Sequence, residues 1–373
     1  LVRYFFLDAA DRAEPGRHTL LPAPATPTPP VTDRDHPVSS SRLPSGAGEG
    51  RVGPWRDPTS AQALAVSLRP SGRSHRPTQV RRPPMAAGAS NSTANADWGK
   101  ANFNDIYNCP DPRPYFATLR SLEYQIPHHG QAVFRALTYA LRWLHPDRTP
   151  LNVVDLCCSY GINTALLNCR VTLSDLSTRY TSHHLSALPT RQLAAEDRTF
   201  FAARRRPEAA TATGIDSAAL AVGYARAVGL LDHAFAENLE VTEPSPALRR
   251  TLAGTDLITV TGGVGYVFTR TFTRLLDCMP TPPWVAAFVL RTVPYQPIAD
   301  LLARSGLVTE KLSARTFRQR RFADSAERYA AFHALAVNGL HTADKEADGF
   351  YHTDLYVSRP APDIAALPLA RLL

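Results

Sequence analysis

Residues 151–161 read LNVVDLCCSYG. The first six form a short apolar run rich in branched side chains, the pattern of a buried strand. Asp155 stands near its end, and Cys157, Ser159 and Gly161 follow at every second position. Small residues there let the backbone turn sharply and approach a ligand closely. The next residues, INTALLN, read as a helix. Working outward, the alternation repeats. TATGID is a strand ending in Asp216, and SAALAVGYARAVG is a helix, with Ser217 placed to cap it and Gly229 to stop it. HAFAENLEV and TDLITVTGG read as strands, TRTFTRLLDCM as a helix and WVAAFVLR as a strand. PIADLLARSGL is a helix between Pro297 and Gly306. TEKLSARTF as a strand, SAERYAAFHALAVNG as a helix and TDLYVSRP as a closing strand complete the series. Such alternation predicts an α/β fold, a mostly parallel sheet with helices on both faces. Its core spans residues 151–360, and its ligand site lies beyond the carboxyl ends of the strands.

The composition is uneven. Of 373 residues, 1–84 hold 14 of the 32 prolines, with 12 Lys+Arg against 7 Asp+Glu. The remainder holds 29 Lys+Arg against 26 Asp+Glu, so most of the formal +8 sits in the first block. That block is too rich in Pro, Gly and Ser to pack as a domain and is expected to be a disordered tail. The first methionine is Met85, and only three of the basic residues are lysines (Lys100, Lys311 and Lys345). An arginine-rich bias fits GC-rich coding, so 1–84 is either a true Pro/Arg-rich linker or read-through upstream of a start at Met85. With the charge confined there, nucleic acid is disfavoured as a partner. No secretory signal or membrane-spanning run is visible. Five cysteines without a CxxC pair support neither a disulfide framework nor a structural metal site, as expected of a reduced cytoplasmic protein.

The loop after the first strand lacks both GxxxxGK[ST] and GxGxxG, which argues against a pyrophosphate cradle. Asp216, by contrast, ends a strand where a carboxylate can accept both hydroxyls of a ribose. VVDLCCSYG, GID, AENLE and TDLITVTGG together resemble the class I S-adenosylmethionine-dependent methyltransferases. The resemblance covers roughly residues 98–360, and NDIYNCPDPRPYFATLRSLEYQIP resembles an uncharacterised bacterial group within that superfamily. It implies a Rossmann-like methyltransferase sheet whose last strand is antiparallel, with S-adenosyl-L-methionine as cofactor. Carried over by position, Asp155, Cys157, Ser159 and Gly161 belong to the loop holding the cofactor's amino-acid part. Asp216 is the ribose carboxylate, Asn238 and Leu239 flank the adenine, and Thr261 and Gly262 complete the cofactor set. Cys157 and Ser159 stand where the family's loop usually has glycine. Asp216 also follows Asp155 by 61 residues, so about 170–208 must be an insertion, expected to be helical. Asp175, in VTLSDLS, is then the rival ribose ligand.

Residues 85–150 read as an N-terminal arm or lid, and 361–373 as a C-terminal tail. The aromatic segment 105–127 offers Tyr115 and Tyr124 as candidates to orient an acceptor. In TGGVGYV, Gly262, Gly263 and Gly265 leave room for that acceptor, and Tyr266 could place a hydroxyl near the transferred methyl. Adjacent side chains point apart, so His128–His129 and His183–His184 chelate poorly and read as surface or capping residues. The clusters RRR at 204–206 and RQRR at 318–321 read as solvated faces. The function expected is methyl transfer to a small-molecule acceptor. The competitors are a nicotinamide-dependent oxidoreductase and a non-catalytic nucleoside- or RNA-binding protein on the same fold.

Overall fold

A computed structural model describes residues 104–373; the expectations for 1–84, and for the first part of the 85–150 arm, lie outside these residues. The chain opens with α1 (Asn104–Tyr107), α2 (Arg113–Ser121) and the long α3 (Ile126–Leu144). Strand β1 (Asn152–Leu156) follows, then α4 (Ile162–Asn168) and the insertion, α5 (Leu173–Tyr180), α6 (His183–Ser186) and α7 (Thr190–Ala202). The alternation resumes with β2 (Thr211–Asp216), α8 (Ala219–Ala227), β3 (His233–Ala236), α9 (Pro246–Leu252) and β4 (Leu257–Thr261). Next come α10 (Thr269–Leu276), β5 (Trp284–Leu290), α11 (Gln296–Arg304), β6 (Leu307–Lys311) and β7 (Phe317–Arg321). The chain ends with α12 (Ser325–Val337), β8 (Phe350–Pro360), α13 (Ala361–Ala366) and α14 (Leu369–Leu372).

One eight-stranded sheet runs β3-β2-β1-β4-β5-β8-β6, with β7 also paired to β8. The first five of these are parallel to one another, and β8 is antiparallel to β5, β6 and β7. This is the Rossmann-like arrangement with an antiparallel closing strand. All seven residues of β5 are buried, as a central strand covered on both faces requires. Val285, Ala287 and Val289 pack with Phe272, Leu275 and Leu302 of α10 and α11. Trp284, Ala286 and Phe288 pack with Phe134, Leu137 and Leu141 of α3 on the other side.

Several expectations need correction. TEKLSARTF is not one strand; it divides between β6 and β7, with an irregular stretch between them. Ser217 does not cap α8, whose first turn instead meets Asp216. Residues 126–144 are no arm but a sheet-covering helix, whereas α2 packs Tyr115, Phe116 and Leu119 against the insertion's Leu176 and Tyr180. The C-terminal tail packs on the sheet: Asp363 accepts from Trp284 Nε1–H at 2.8 Å, and Leu369 is buried. Among the described residues, no helix is long and apolar enough to cross a membrane, and no disulfide joins the five cysteines.

Candidate functional site

The strands β1, β2 and β4 end at a cavity of about 730 Å³. Its floor is the loop leaving β1. Cys157 and Cys158 N–H both turn back onto the Ile215 carbonyl, at 2.8 and 3.3 Å, and Gly161 N–H bonds the Cys158 carbonyl at 2.8 Å. To close this turn the chain takes left-handed φ at each alternate residue: 61° at Cys157, 47° at Ser159 and 71° at Gly161. Glycine adopts such angles without cost; cysteine and serine do not. Cys157 and Ser159 line the cavity. Gly161 does not: a Cβ there would lie 3.2 Å from Ala225, so its smallness serves the packing of α8.

Asp216 closes the loop from the neighbouring strand. Its Oδ2 accepts from Ser159 N–H and its Oδ1 from Ala218 N–H, both at 2.9 Å. Burial raises its pKa, and these backbone donors counter the rise. A carboxylate has about four acceptor sites, so with backbone donors from Ser159, Ala218 and Ser217 it still has capacity for a ligand donor. Asp175 has no such place. It sits in α5, in a capping box with Thr172, and does not line the cavity, whereas Asp216 does.

Asp155, expected in the cofactor loop, does not line the cavity either. It is buried beneath it, accepting long bonds from Thr164 Oγ1 (3.3 Å), Thr259 Oγ1 (3.4 Å) and Asn163 Nδ2 (3.5 Å). Burial pushes its carboxyl up to about 7, with those hydrogen bonds opposing. Asn238, Leu239, Thr261 and Gly262 all line the cavity. Asn238 Oδ1 accepts from Glu240 N–H at 3.0 Å, and the Leu239 carbonyl accepts from Arg274 at 2.6 Å. Glu240 in turn caps α10, accepting from Phe268 N–H and Thr271 Oγ1, both at 2.6 Å.

Tyr115, Tyr124 and Tyr266 line the far end together with Tyr107. Tyr107 and Tyr124 both meet Tyr115 edge to face, with ring centroids 5.6 and 6.2 Å away, and Tyr115 O–H donates to Tyr124. Burial raises all four phenols above their ordinary pKa, so they keep their protons at neutral pH and act as donors, not bases. The glycines of TGGVGYV make room in an unexpected way. A Cβ on Gly262 would lie 2.7 Å from the Gln319 amide, and one on Gly263 2.7 Å from Cys157 Sγ. The space is filled by this chain's own side chains.

Four buried side-chain atoms of residues that line this cavity have no hydrogen-bond partner among the described residues: Ser159 Oγ, Asn163 Oδ1, Thr261 Oγ1 and Gln319 Oε1. Leaving a buried polar group unmade costs about 1–3 kcal/mol each. Four of them in residues lining one cavity mark a wall that a polar ligand could complete. Tyr107, Asn163, Glu237 and Gln319 are wall residues that the sequence reading missed. Tyr107 lies in the quoted aromatic segment and Asn163 two residues past the loop, so both were within reach. Gln319 was hidden in RQRR, only half of which is a solvated face: Arg318 and Arg321 are exposed, but Gln319 and Arg320 are each 1% exposed.

No protein-family model matches the chain, and no curated protein does. Among solved structures it is similar to the plantazolicin methyltransferase BpumL in complex with SAH. That match has 11% identity over 69% of this chain and 93% of the other, with a TM-score of 0.36. The magnesium protoporphyrin IX methyltransferase ChlM from Synechocystis PCC 6803, with bound SAM, matches at 13% identity over 62% and 80%, with a TM-score of 0.28. A phosphoethanolamine-type N-methyltransferase from Haemonchus contortus matches at 11% identity over 60% and 52%, with a TM-score of 0.29.

Proposed function

We propose that the protein is an S-adenosyl-L-methionine-dependent methyltransferase acting on a small-molecule acceptor. One observation carries this reading. Asp216, which lines the cavity, is held by backbone N–H groups against a left-handed loop at the end of β1. That is the place in an open α/β sheet where a nucleoside binds. A cavity of about 730 Å³ is large enough for a nucleoside and a small acceptor together.

Asp216 would hold the ribose hydroxyls, and Ser159 Oγ and Asn163 Oδ1 are placed for the amino-acid part. Asn238 and Leu239 would flank the adenine. When bound, the cofactor supplies a methyl group already activated by its sulfonium. The protein's own task is then alignment and exclusion of water. A general base is needed only for an acceptor that must lose a proton, and the protonated tyrosines do not offer one. Thr261, Gly262 and Tyr266 line the same cavity and would line up an acceptor for in-line displacement.

Isothermal titration with S-adenosylhomocysteine tests the proposal. The wild-type chain is expected to bind it, and Asp216→Ala to weaken binding by about tenfold or more, the worth of a charge-assisted hydrogen bond. Asp175→Ala should leave it unchanged. A folded wild-type protein without affinity, or an Asp216→Ala variant that binds as well, refutes the assignment.

A further inference from the structure

Strand β7 departs from regular geometry beside the cavity. In an ordinary strand, neighbours face opposite sides. Here Phe317 is buried and Arg318 exposed, but Gln319 and Arg320 are then both fully buried. The pairing of β7 with β8 shifts register between Arg318 and Arg321. A bulge of this kind re-aims side chains and recurs next to active sites. It turns Arg320 into a two-bond pair with Glu327, at 2.9 and 2.6 Å. Gln319 goes the other way, over Gly262, where any Cβ would strike its amide. Gln319 lines the cavity, and its carbonyl oxygen is left buried without a partner among the described residues. An amide carbonyl only accepts, so what completes it is an N–H or O–H.

The surroundings narrow the class of ligand. Tyr107, Tyr124 and Tyr266 line the cavity together with Gln319. Of the acids on the wall, Asp216 is engaged with the loop, Glu240 with the start of α10, and Glu237 with Ser245 N–H at 3.0 Å. The one cationic wall residue among those described, Arg270, donates to the Glu240 carbonyl at 3.0 Å. Gln319 and the three tyrosines are themselves neutral, and the guanidinium whose charge reaches those tyrosines, Arg320, is already paired with Glu327. A carboxylate, a phosphate or an ammonium would bury its charge unpaired there, at high cost.

We propose that Gln319 is the specificity residue of the acceptor pocket: it accepts a hydrogen bond from a neutral, planar acceptor bearing an N–H or O–H, packed against Tyr107, Tyr124 and Tyr266. The proposal rests on the methyltransferase reading for the word acceptor, but not for the chemistry of the pocket. Saturation-transfer NMR titrations test it, with four probes added to the full chain loaded with S-adenosylhomocysteine. The probes are indole, N-methylindole, benzoate and benzylamine. Indole should bind about fivefold or more tightly than N-methylindole, which keeps the shape and loses the donor. Benzoate and benzylamine should bind more weakly than indole. Gln319→Met should abolish the preference for indole while S-adenosylhomocysteine affinity stays within about twofold of wild type. Equal binding of the two indoles, no binding of indole, a preference surviving in Gln319→Met, or tighter binding of a charged probe overturns the proposal. The indole pair is read in wild type, so the comparison stands even if Gln319→Met folds poorly. A wild-type chain that does not bind S-adenosylhomocysteine refutes the methyltransferase reading instead. The same indole comparison on the unloaded chain then still decides the role of Gln319.

Discussion

Asp155→Asn should make the protein more stable at mildly alkaline pH and leave it almost unchanged in acid. Asp155 is 2% exposed, and its partners are hydroxyls and an amide at 3.3–3.5 Å, with no cation among them. Burial, with a smaller contribution from the charge of Asp216, pushes its carboxyl up to about 7. An unfolded aspartate titrates near 3.9. Between these two values the folded protein holds a proton that the unfolded chain has released. Stability therefore falls as pH rises, by about 1.4 kcal/mol per pH unit, and the fall stops once the folded group also ionises. From about pH 5 to pH 8 the wild type should lose about 3 kcal/mol relative to the asparagine variant, whose side chain has nearly the same shape and no charge. Urea denaturation of both proteins across that range measures this. Other titrating groups cancel in the difference between the two curves. The difference should climb steadily to about pH 7 and level off above it. A difference that stays flat, or one that shrinks as pH rises, refutes the reasoning that Asp155 is protonated in the fold.

Three further substitutions probe other parts of the structure. Ser159→Gly relieves a left-handed serine worth about 1–2 kcal/mol, partly offset by glycine's greater unfolded freedom. Thermal denaturation should show a melting temperature about 2–3 °C higher, while calorimetry shows weaker S-adenosylhomocysteine binding through loss of the Ser159 hydroxyl. A variant no more stable than wild type would mean that the loop carries no strain. Gly262→Ala brings a methyl to 2.7 Å from the Gln319 amide at a φ of 70°, and should lower stability by about 1–3 kcal/mol in urea titration. Asp363→Ala leaves Trp284 Nε1–H buried without an acceptor, costing about 1–3 kcal/mol, and should expose the C-terminal helices to limited proteolysis.

The sheet could be read in the sequence wherever one segment carried its own instructions. TATGID and INTALLN coincide with β2 and α4 residue for residue, because a strand buried on both faces and a helix between small-residue turns are locally marked. The alternate small residues at 157, 159 and 161 marked the turn, and the structure shows what they are for: each takes a left-handed φ. The errors arose where a neighbour outcompeted the local signal. Ser217 precedes α8 as a cap should, yet Asp216 reaches the Ala218 N–H first and ties the helix to the loop at once. Asp175 was a rival to Asp216 only if VTLSD formed a strand, and the insertion is helical there, as expected. With Thr172 and Asp175 three apart, the chain forms a capping box and a helix instead.

The two ends of the cavity differed in legibility for a single reason. The end assigned to the cofactor is made by residues that follow strands directly, so chain position and place in space coincide. The other end is assembled from Tyr107, Tyr124, Tyr266 and Gln319, which lie far apart in sequence and meet only because α1, α2 and β7 are carried there by the rest of the fold. Gln319 was the hardest to see. FRQRR has the composition of an exposed edge strand, and burying Arg320 is tolerable only because Glu327 from α12 takes its guanidinium and the Tyr351 ring lies 5.0 Å beneath it. Neither partner is visible from the strand itself. Once Arg320 is held on one side, the register break leaves Gln319 to face the other, beside Gly262. A polar strand with two consecutive buried residues is thus explained by the ion pair on one side and the cavity on the other.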